Sequence, residues 1–186
     1  MTKTEIRTQI KELCHQQKEL LAQKSSLICD NILNSQVYKQ AADIFSYMAL
    51  PDEVILTKVM LQAIKDGKRV AIPKIISQTD NIIKFFYLDK TKNLTEQTAT
   101  GTFGISEPDE EMPATPDNSH KTLILVPGRA FTKEGDRLGR GKGYYDRFLS
   151  EMKGKTNITL AGVCFDFQIK KSLPTDDRDI KMDIIF

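Results

Sequence analysis

Apolar positions along the chain follow two rhythms, one helical and one extended. Over roughly the first 34 residues, Ile6, Ile10, Leu13, Leu20, Leu21, Leu27, Ile28 and Ile32 recur at three- and four-residue steps, which predicts one long or two consecutive amphipathic helices. Residues 43–50 form a mostly apolar run closed by Pro51-Asp52 and predict a buried strand. Helical spacing returns with Val54, Leu56, Val59, Met60, Ala63 and Ile64 and stops at Asp66-Gly67, where glycine supplies the C-terminal end. Residues 69–73, 82–88, 123–126 and 158–165 predict further strands, and 182–186 a short last one. Residues 89–121, rich in Thr, Pro, Asp and Glu, read as loop with small elements, of which Gly101 to Pro108 is the most ordered. A loop of that length in a compact domain points to a functional role.

A helix set between two short strands predicts a parallel crossover. The alternation as a whole predicts an α/β fold: one domain over residues 1–186, with a mainly parallel sheet flanked by helices in three layers. Composition fits that expectation. With 40% hydrophobic and 28% charged residues the chain is ordinary for a globular domain, and no compositional break marks a second unit. No apolar run approaches the ~20 residues of a membrane helix, and the first residues lack the apolar core of a leader, so a cytoplasmic protein with no membrane partner is expected. Cys14, Cys29 and Cys164 are odd in number and widely spaced, with only His15 and His120 to join them, and support neither a disulfide framework nor a zinc site.

The most unusual stretch lies between the strand at 123–126 and the amphipathic start at Tyr144. Pro127-Gly128 ends the strand, and Gly135, Gly139, Gly141 and Gly143 follow. Glycine at alternate positions lets the backbone take positive φ and converge its N–H groups on an anion ahead of a helix. The loop is not a Walker A motif, because five residues rather than four separate Gly135 from Gly141, and Gly143 stands where Ser or Thr would ligate magnesium. Nor is it a dinucleotide fingerprint, since about ten residues part the strand from the glycines. From 129 to 147 six cations face three anions, a surplus of three, whereas the whole chain is only +2. Positive charge is gathered on the loop, as a phosphate site requires.

Candidate chemistry follows from position. Asp146, in the first turn after the loop, is placed to hold magnesium beside such phosphates, with Asp179 as a distant partner. Lys3 and Arg7, four apart, project from one side of the first helix. Glu53 follows the first strand, where it either faces a cleft beyond the strand ends or complements the next helix dipole. Tyr144 and Tyr145 cannot point the same way on a helix, so one is expected to pack inside and the other to line a pocket, ready to stack on a flat heterocycle. No serine–histidine or cysteine–histidine signature offers a nucleophile, and the pattern suits phosphoryl positioning and charge stabilisation.

Val126-Pro127-Gly128, Phe131 and the run Gly135-x-Arg137-Leu138-Gly139-Arg140-Gly141-Lys142-Gly143-Tyr144-Tyr145-Asp146 closely resemble the signature of the 5-formyltetrahydrofolate cyclo-ligase family, also called 5,10-methenyltetrahydrofolate synthetases. The resemblance extends to Lys3 and Arg7, to residues 47–54, to Gly104-x-x-Glu107-Pro108, to Phe165-x-x-Gln168 and to residues 174–179. It implies that Lys3, Arg7, Arg137, Leu138, Gly139, Arg140, Gly141, Lys142, Gly143, Tyr144 and Tyr145 bind ATP, and that Asp146 and Asp179 hold Mg2+. It implies further that Met48, Glu53, Arg140, Gly141, Lys142, Gly143 and Tyr144 face the folate, with Lys142, Arg140 and Glu53 catalytic. The implied reaction is ATP-dependent cyclisation of 5-formyltetrahydrofolate to 5,10-methenyltetrahydrofolate, releasing ADP and phosphate through a phosphorylated iminium at N5. A monomer acting on the folate, polyglutamylated or not, is expected. Arg178, just before Asp179, departs from the His or Asn more usual in relatives. On the residues alone, another phosphate-ligand enzyme on a related α/β scaffold stays open. So does a single-stranded nucleic-acid module using Phe131, Tyr144 and Tyr145, although the near-neutral net charge speaks against it.

Overall fold

A computed structural model of the chain describes residues 1–109, 111–152, 154–176 and 179–186. Arg178, which departs from the family pattern, lies outside the described residues, as does its neighbour Asp177. The amino-terminal periodicity resolves into two helices, α1 (Lys3–Gln16) and α2 (Leu21–Asn34), with a 3-10 turn (Lys18–Leu20) between them. A capping box starts α1: the Thr2 hydroxyl accepts from the Glu5 N–H while the Glu5 carboxylate accepts from the Thr2 N–H. A short α3 (Gln36–Gln40) leads into β1 (Asp43–Phe45), and α4 (Thr57–Lys65) carries the chain to β2 (Arg69–Ser77) and its hairpin partner β3 (Ile82–Tyr87). The long connection holds a second hairpin, β4 (Thr98–Thr100) with β5 (Ser106–Pro108), and the edge strand β6 (Pro113–Ala114). There follow β7 (Thr122–Pro127), the small hairpin of β8 (Ala130–Phe131) and β9 (Arg137–Leu138), α5 (Tyr144–Ser150), β10 (Ile158–Val163) and β11 (Ile184–Ile185).

Among the described residues the central sheet has seven strands in the order β11-β10-β7-β1-β2-β3-β6. From β11 to β2 neighbours run parallel, and β3 and β6 add to the far edge antiparallel. The crossover through α4 between parallel β1 and β2 is as expected. Alternate side chains fill the two faces: Ile44, Leu123 and Leu125 pack with α2 and α4, whereas Phe45, Ile124 and Val126 pack with Phe148 and Leu149 of α5. Helix α1 sits apart, with Ile6, Ile10 and Cys14 on Ala130 and Leu138 of the β8–β9 hairpin.

Three expectations are corrected. The first strand has three residues and not eight: after Phe45 the chain leaves the sheet, and Tyr47 Oη closes the following loop by donating to the Val54 carbonyl at 3.1 Å. Strand, glycine loop and helix are not contiguous either, because the β8–β9 hairpin intervenes. Gly135 (φ 93°) belongs to the turn of that hairpin, where a Cβ would strike the Met182 carbonyl, and not to the loop ahead of α5. Glu53 lies outside the first turn of α4, which begins at Thr57.

Candidate active site

The 139–143 loop is braced by α1, whose Arg7 Nε donates to the Gly139 carbonyl at 2.9 Å. Left-handed backbone falls at Gly141 and Gly143 (φ 99° and 77°) but not at Gly139. Gly143 is the cap residue of α5, and its positive φ turns the chain from loop into helix without the steric cost a Cβ would add. Two cavities meet at this loop. On one side is a polar cleft of 610 Å³, lined by Lys3 and Arg7, the loop itself, Asp146 and Arg147 of α5, and Asp176 and Asp179. On the other is a mostly apolar cavity of 160 Å³, walled by Tyr47, Met48, Pro73, Ile75, Phe103, Ile105 and Tyr144. Gly139, Lys142, Gly143 and Asp146 line both.

Lys3 Nζ pairs with Asp176 at 3.0 Å and Asp179 at 3.2 Å, tying the carboxy-terminal segment to α1. The hydrogen bond to Asp176, aided by Asp179, outweighs the cost of partial burial and holds the Lys3 pKa above its ordinary value. Asp146 Oδ1 accepts from Arg137 Nη2, and Asp179 Oδ2 accepts from Lys3 and from the Asp176 N–H. Asp146 Oδ2 and Asp179 Oδ1 therefore each lack a partner among the described residues. Lys142 likewise makes no ion pair or hydrogen bond among them.

Of the residues expected to bind ATP, Arg137, Arg140, Tyr144 and Tyr145 line the apolar cavity and not the polar cleft, and Gly141, expected at the folate as well, lines the cleft and not the cavity. Arg137 is buried, donates to the Pro127 carbonyl at 3.1 Å and serves as internal counter-ion to Asp146. Arg140 is held through Nε by Glu53 Oε1 at 2.8 Å and through Nη2 by Asp52 Oδ1. With Arg129 paired to Asp52 as well, three of the six cations counted along the segment are neutralised by carboxylates among the described residues. Both tyrosines line the same cavity, since neighbouring side chains at the start of α5 diverge by only ~100°, but Tyr145 also packs against the core under the helix whereas Tyr144 does not, as expected of one in and one out. The Tyr145 hydroxyl is enclosed without a hydrogen-bond partner among the described residues, and burial raises its pKa.

Several residues of the site were given no role from the sequence, although Glu107 and Gln168 stand in the family pattern. Asp52 bridges Arg129 Nη1 (2.5 Å) and Arg140; burial opposes its charge, but the bonds to the two arginines prevail and hold its carboxyl below the ordinary range. Phe103, in left-handed backbone (φ 59°) and exposed, stands at the rim of the apolar cavity. Glu107, nearly buried in the same wall, accepts from the Ile75 N–H at 3.3 Å. Buried Gln168 donates through Nε2 to the Gly128 and Arg129 carbonyls and fixes the corner where β7 ends. The Asp52-Glu53 neighbours and the Gly104-x-x-Glu107 pattern were visible signals. The partners of Asp52, 77 and 88 residues away, were not.

A polar cleft and an apolar cavity sharing one glycine loop at the end of a parallel sheet define an α/β enzyme domain with a composite site. Residues 1–186 match the model of the 5-formyltetrahydrofolate cyclo-ligase family, and the chain belongs to that family. The Schizosaccharomyces pombe protein named "Probable 5-formyltetrahydrofolate cyclo-ligase" is 31% identical over 178 residues, covering 89% of this chain and 84% of its own. The Haemophilus influenzae 5-formyltetrahydrofolate cyclo-ligase is 29% identical, with 96% and 93% covered. Among solved structures, the NMR structure of Aquifex aeolicus 5,10-methenyltetrahydrofolate synthetase matches with a TM-score of 0.79 at 31% identity, covering 100% of this chain and 89% of that one. A Mycoplasma pneumoniae 5,10-methenyltetrahydrofolate synthetase, at 24% identity and a TM-score of 0.68, shares the fold.

Proposed function

We propose that the protein cyclises 5-formyltetrahydrofolate to 5,10-methenyltetrahydrofolate with ATP as phosphoryl donor, releasing ADP and phosphate. The observation that carries this reading is the shared wall: Gly139, Lys142 and Gly143 line both cavities, so a phosphoryl group on one side and a formyl group on the other meet at one loop. Lys3, Arg7, Leu138, Gly139, Gly141, Lys142 and Gly143 form the nucleotide side. Met48, Glu53, Arg140, Lys142, Gly143 and Tyr144 form the folate side, now joined by Arg137 and Tyr145. The exposed Phe103 ring offers a stacking face for a flat heterocycle, and the Glu107 carboxyl an acceptor for its N–H groups.

In the reaction the formyl oxygen attacks the γ-phosphorus and the bond to the ADP oxygen breaks. This gives a phosphorylated iminium at N5, which is electrophilic at the former formyl carbon. N10 adds to that carbon and loses its proton, and the carbon–oxygen bond then breaks with phosphate taking the electron pair. Phosphate is a good leaving group, so the chain need supply no nucleophile. Its task is to position the groups and to face the transferring phosphoryl with Lys142 and Arg140. Asp146 and Asp179 suit a magnesium ion, which needs only one or two carboxylates, since both line the polar cleft and each keeps an oxygen without a partner among the described residues. When bound, such an ion neutralises charge on the nucleotide phosphates.

The test is near-ultraviolet absorbance of purified protein with Mg-ATP and 5-formyltetrahydrofolate, alongside Asp146→Asn. An ATP-dependent rise of the methenyl product that collapses in the variant is expected. No rise from folded wild-type protein refutes the reading.

A further inference from the structure

We infer that Asp52 is a positioning residue for phosphoryl transfer, acting through Arg140; the inference rests on the function proposed above. Arg140 stands between Gly139 and Gly141, so its own backbone gives its long side chain little restraint. What fixes the guanidinium is a pair of carboxylates from the loop after β1. Glu53 takes the Nε edge at 2.8 Å and is itself held by the Leu50 N–H at 3.0 Å, while Asp52 takes Nη2. Nη1 has no partner among the described residues, which leaves that one edge of the fork to meet an anion.

A bond at Nε alone would let the guanidinium swing about that contact, and the second bond, from Asp52, sets its plane. Asp52 can do so because its other oxygen is anchored. Arg129 Nη1 grips Oδ2 at 2.5 Å, and the Arg129 backbone is pinned at both ends, its N–H donating to the Leu138 carbonyl at 2.7 Å and its carbonyl accepting from Gln168 at 3.0 Å. A chain of direct contacts thus runs from buried Gln168 through Arg129 and Asp52 to Arg140. Electrostatic stabilisation of a transferring phosphoryl group depends on such preorganisation.

A merely structural role would make Asp52 a half-buried counter-ion whose loss lowers stability and depresses turnover whatever residue stands at 140. A double-mutant cycle separates the two. Turnover at saturating Mg-ATP and 5-formyltetrahydrofolate is measured for wild type, Asp52→Asn, Arg140→Ala and the double variant, with the thermal midpoint of each. Asp52→Asn is expected to lower kcat by about 10- to 100-fold, with both KM values within about 3-fold. In the Arg140→Ala background the same change is expected to alter kcat by less than about 2-fold. Asp52→Glu, which keeps the charge but moves it by one methylene, is expected to show the same coupled loss at a wild-type midpoint. Wild-type kcat in Asp52→Asn, or an equal loss with and without Arg140, overturns the inference. An Arg140→Ala variant with undiminished turnover instead overturns the phosphoryl role of Arg140 in the proposed function.

Discussion

Replacing Lys142 by alanine separates catalysis from stability more cleanly than any other change in the loop. Lys142 is exposed, lines both cavities and makes no ion pair or hydrogen bond among the described residues. Its removal strands no buried partner, so the unfolding free energy is expected to move by no more than about 0.5 kcal/mol. Turnover is another matter. One positioned donor at a developing anion is worth about 2.7–4 kcal/mol, which at about 1.4 kcal/mol per decade is a 100- to 1000-fold loss of kcat. Arg140→Ala deletes a comparable donor but also leaves Asp52 and Glu53 unpaired, so its effect mixes the two quantities. The assay is the initial rate of methenyl formation at saturating substrates, with urea unfolding of the same preparation. A kcat within about three-fold of wild type refutes the electrostatic role assigned to this residue. A stability loss above about 1 kcal/mol would show that Lys142 supports the fold instead.

Two further outcomes rest on the scaffold under the loop. Gln168→Leu strips partners from the Gly128 and Arg129 carbonyls and from the Phe165 N–H, all within 3.0 Å of the Gln168 amide. At about 1–3 kcal/mol for each unsatisfied group, a loss of at least 3 kcal/mol in urea unfolding is expected, and one below about 1 kcal/mol contradicts the account. Acid titration reports on Asp52. Its folded pKa lies below the ordinary 3.8, so its stabilising contribution is complete above that value and is lost as pH falls through the depressed one. Asp52→Asn is therefore expected to have a shallower fall of unfolding free energy below about pH 4, and identical acid limbs in the two proteins would contradict the pairing.

Much of the scaffold was legible because its signals are local. The steps of Ile6, Ile10 and Leu13, the unbroken apolar run of residues 123–126 and the stop at Gly67 each depend on neighbours within a turn or two, and each corresponds to an element of the fold. The length of β1 was not legible, since burial selects apolar residues equally for a strand and for a cavity wall. Phe45 pairs in the sheet, whereas Tyr47 and Met48 line the cavity.

For the site, the sequence by itself determined where the glycine loop lies and which cations accompany it, because glycine spacing and charge are properties of single positions. It could not tell which of those cations remain free. That is decided by partners brought together across the fold: Arg140 meets Glu53 over 87 residues and Lys3 meets Asp179 over 176. The apolar cavity has the same origin, its walls drawn from the loop after β1, from β2, from the segment 103–107 and from the start of α5. Periodicity along a chain carries no register between distant segments, and only the order of the sheet supplies it.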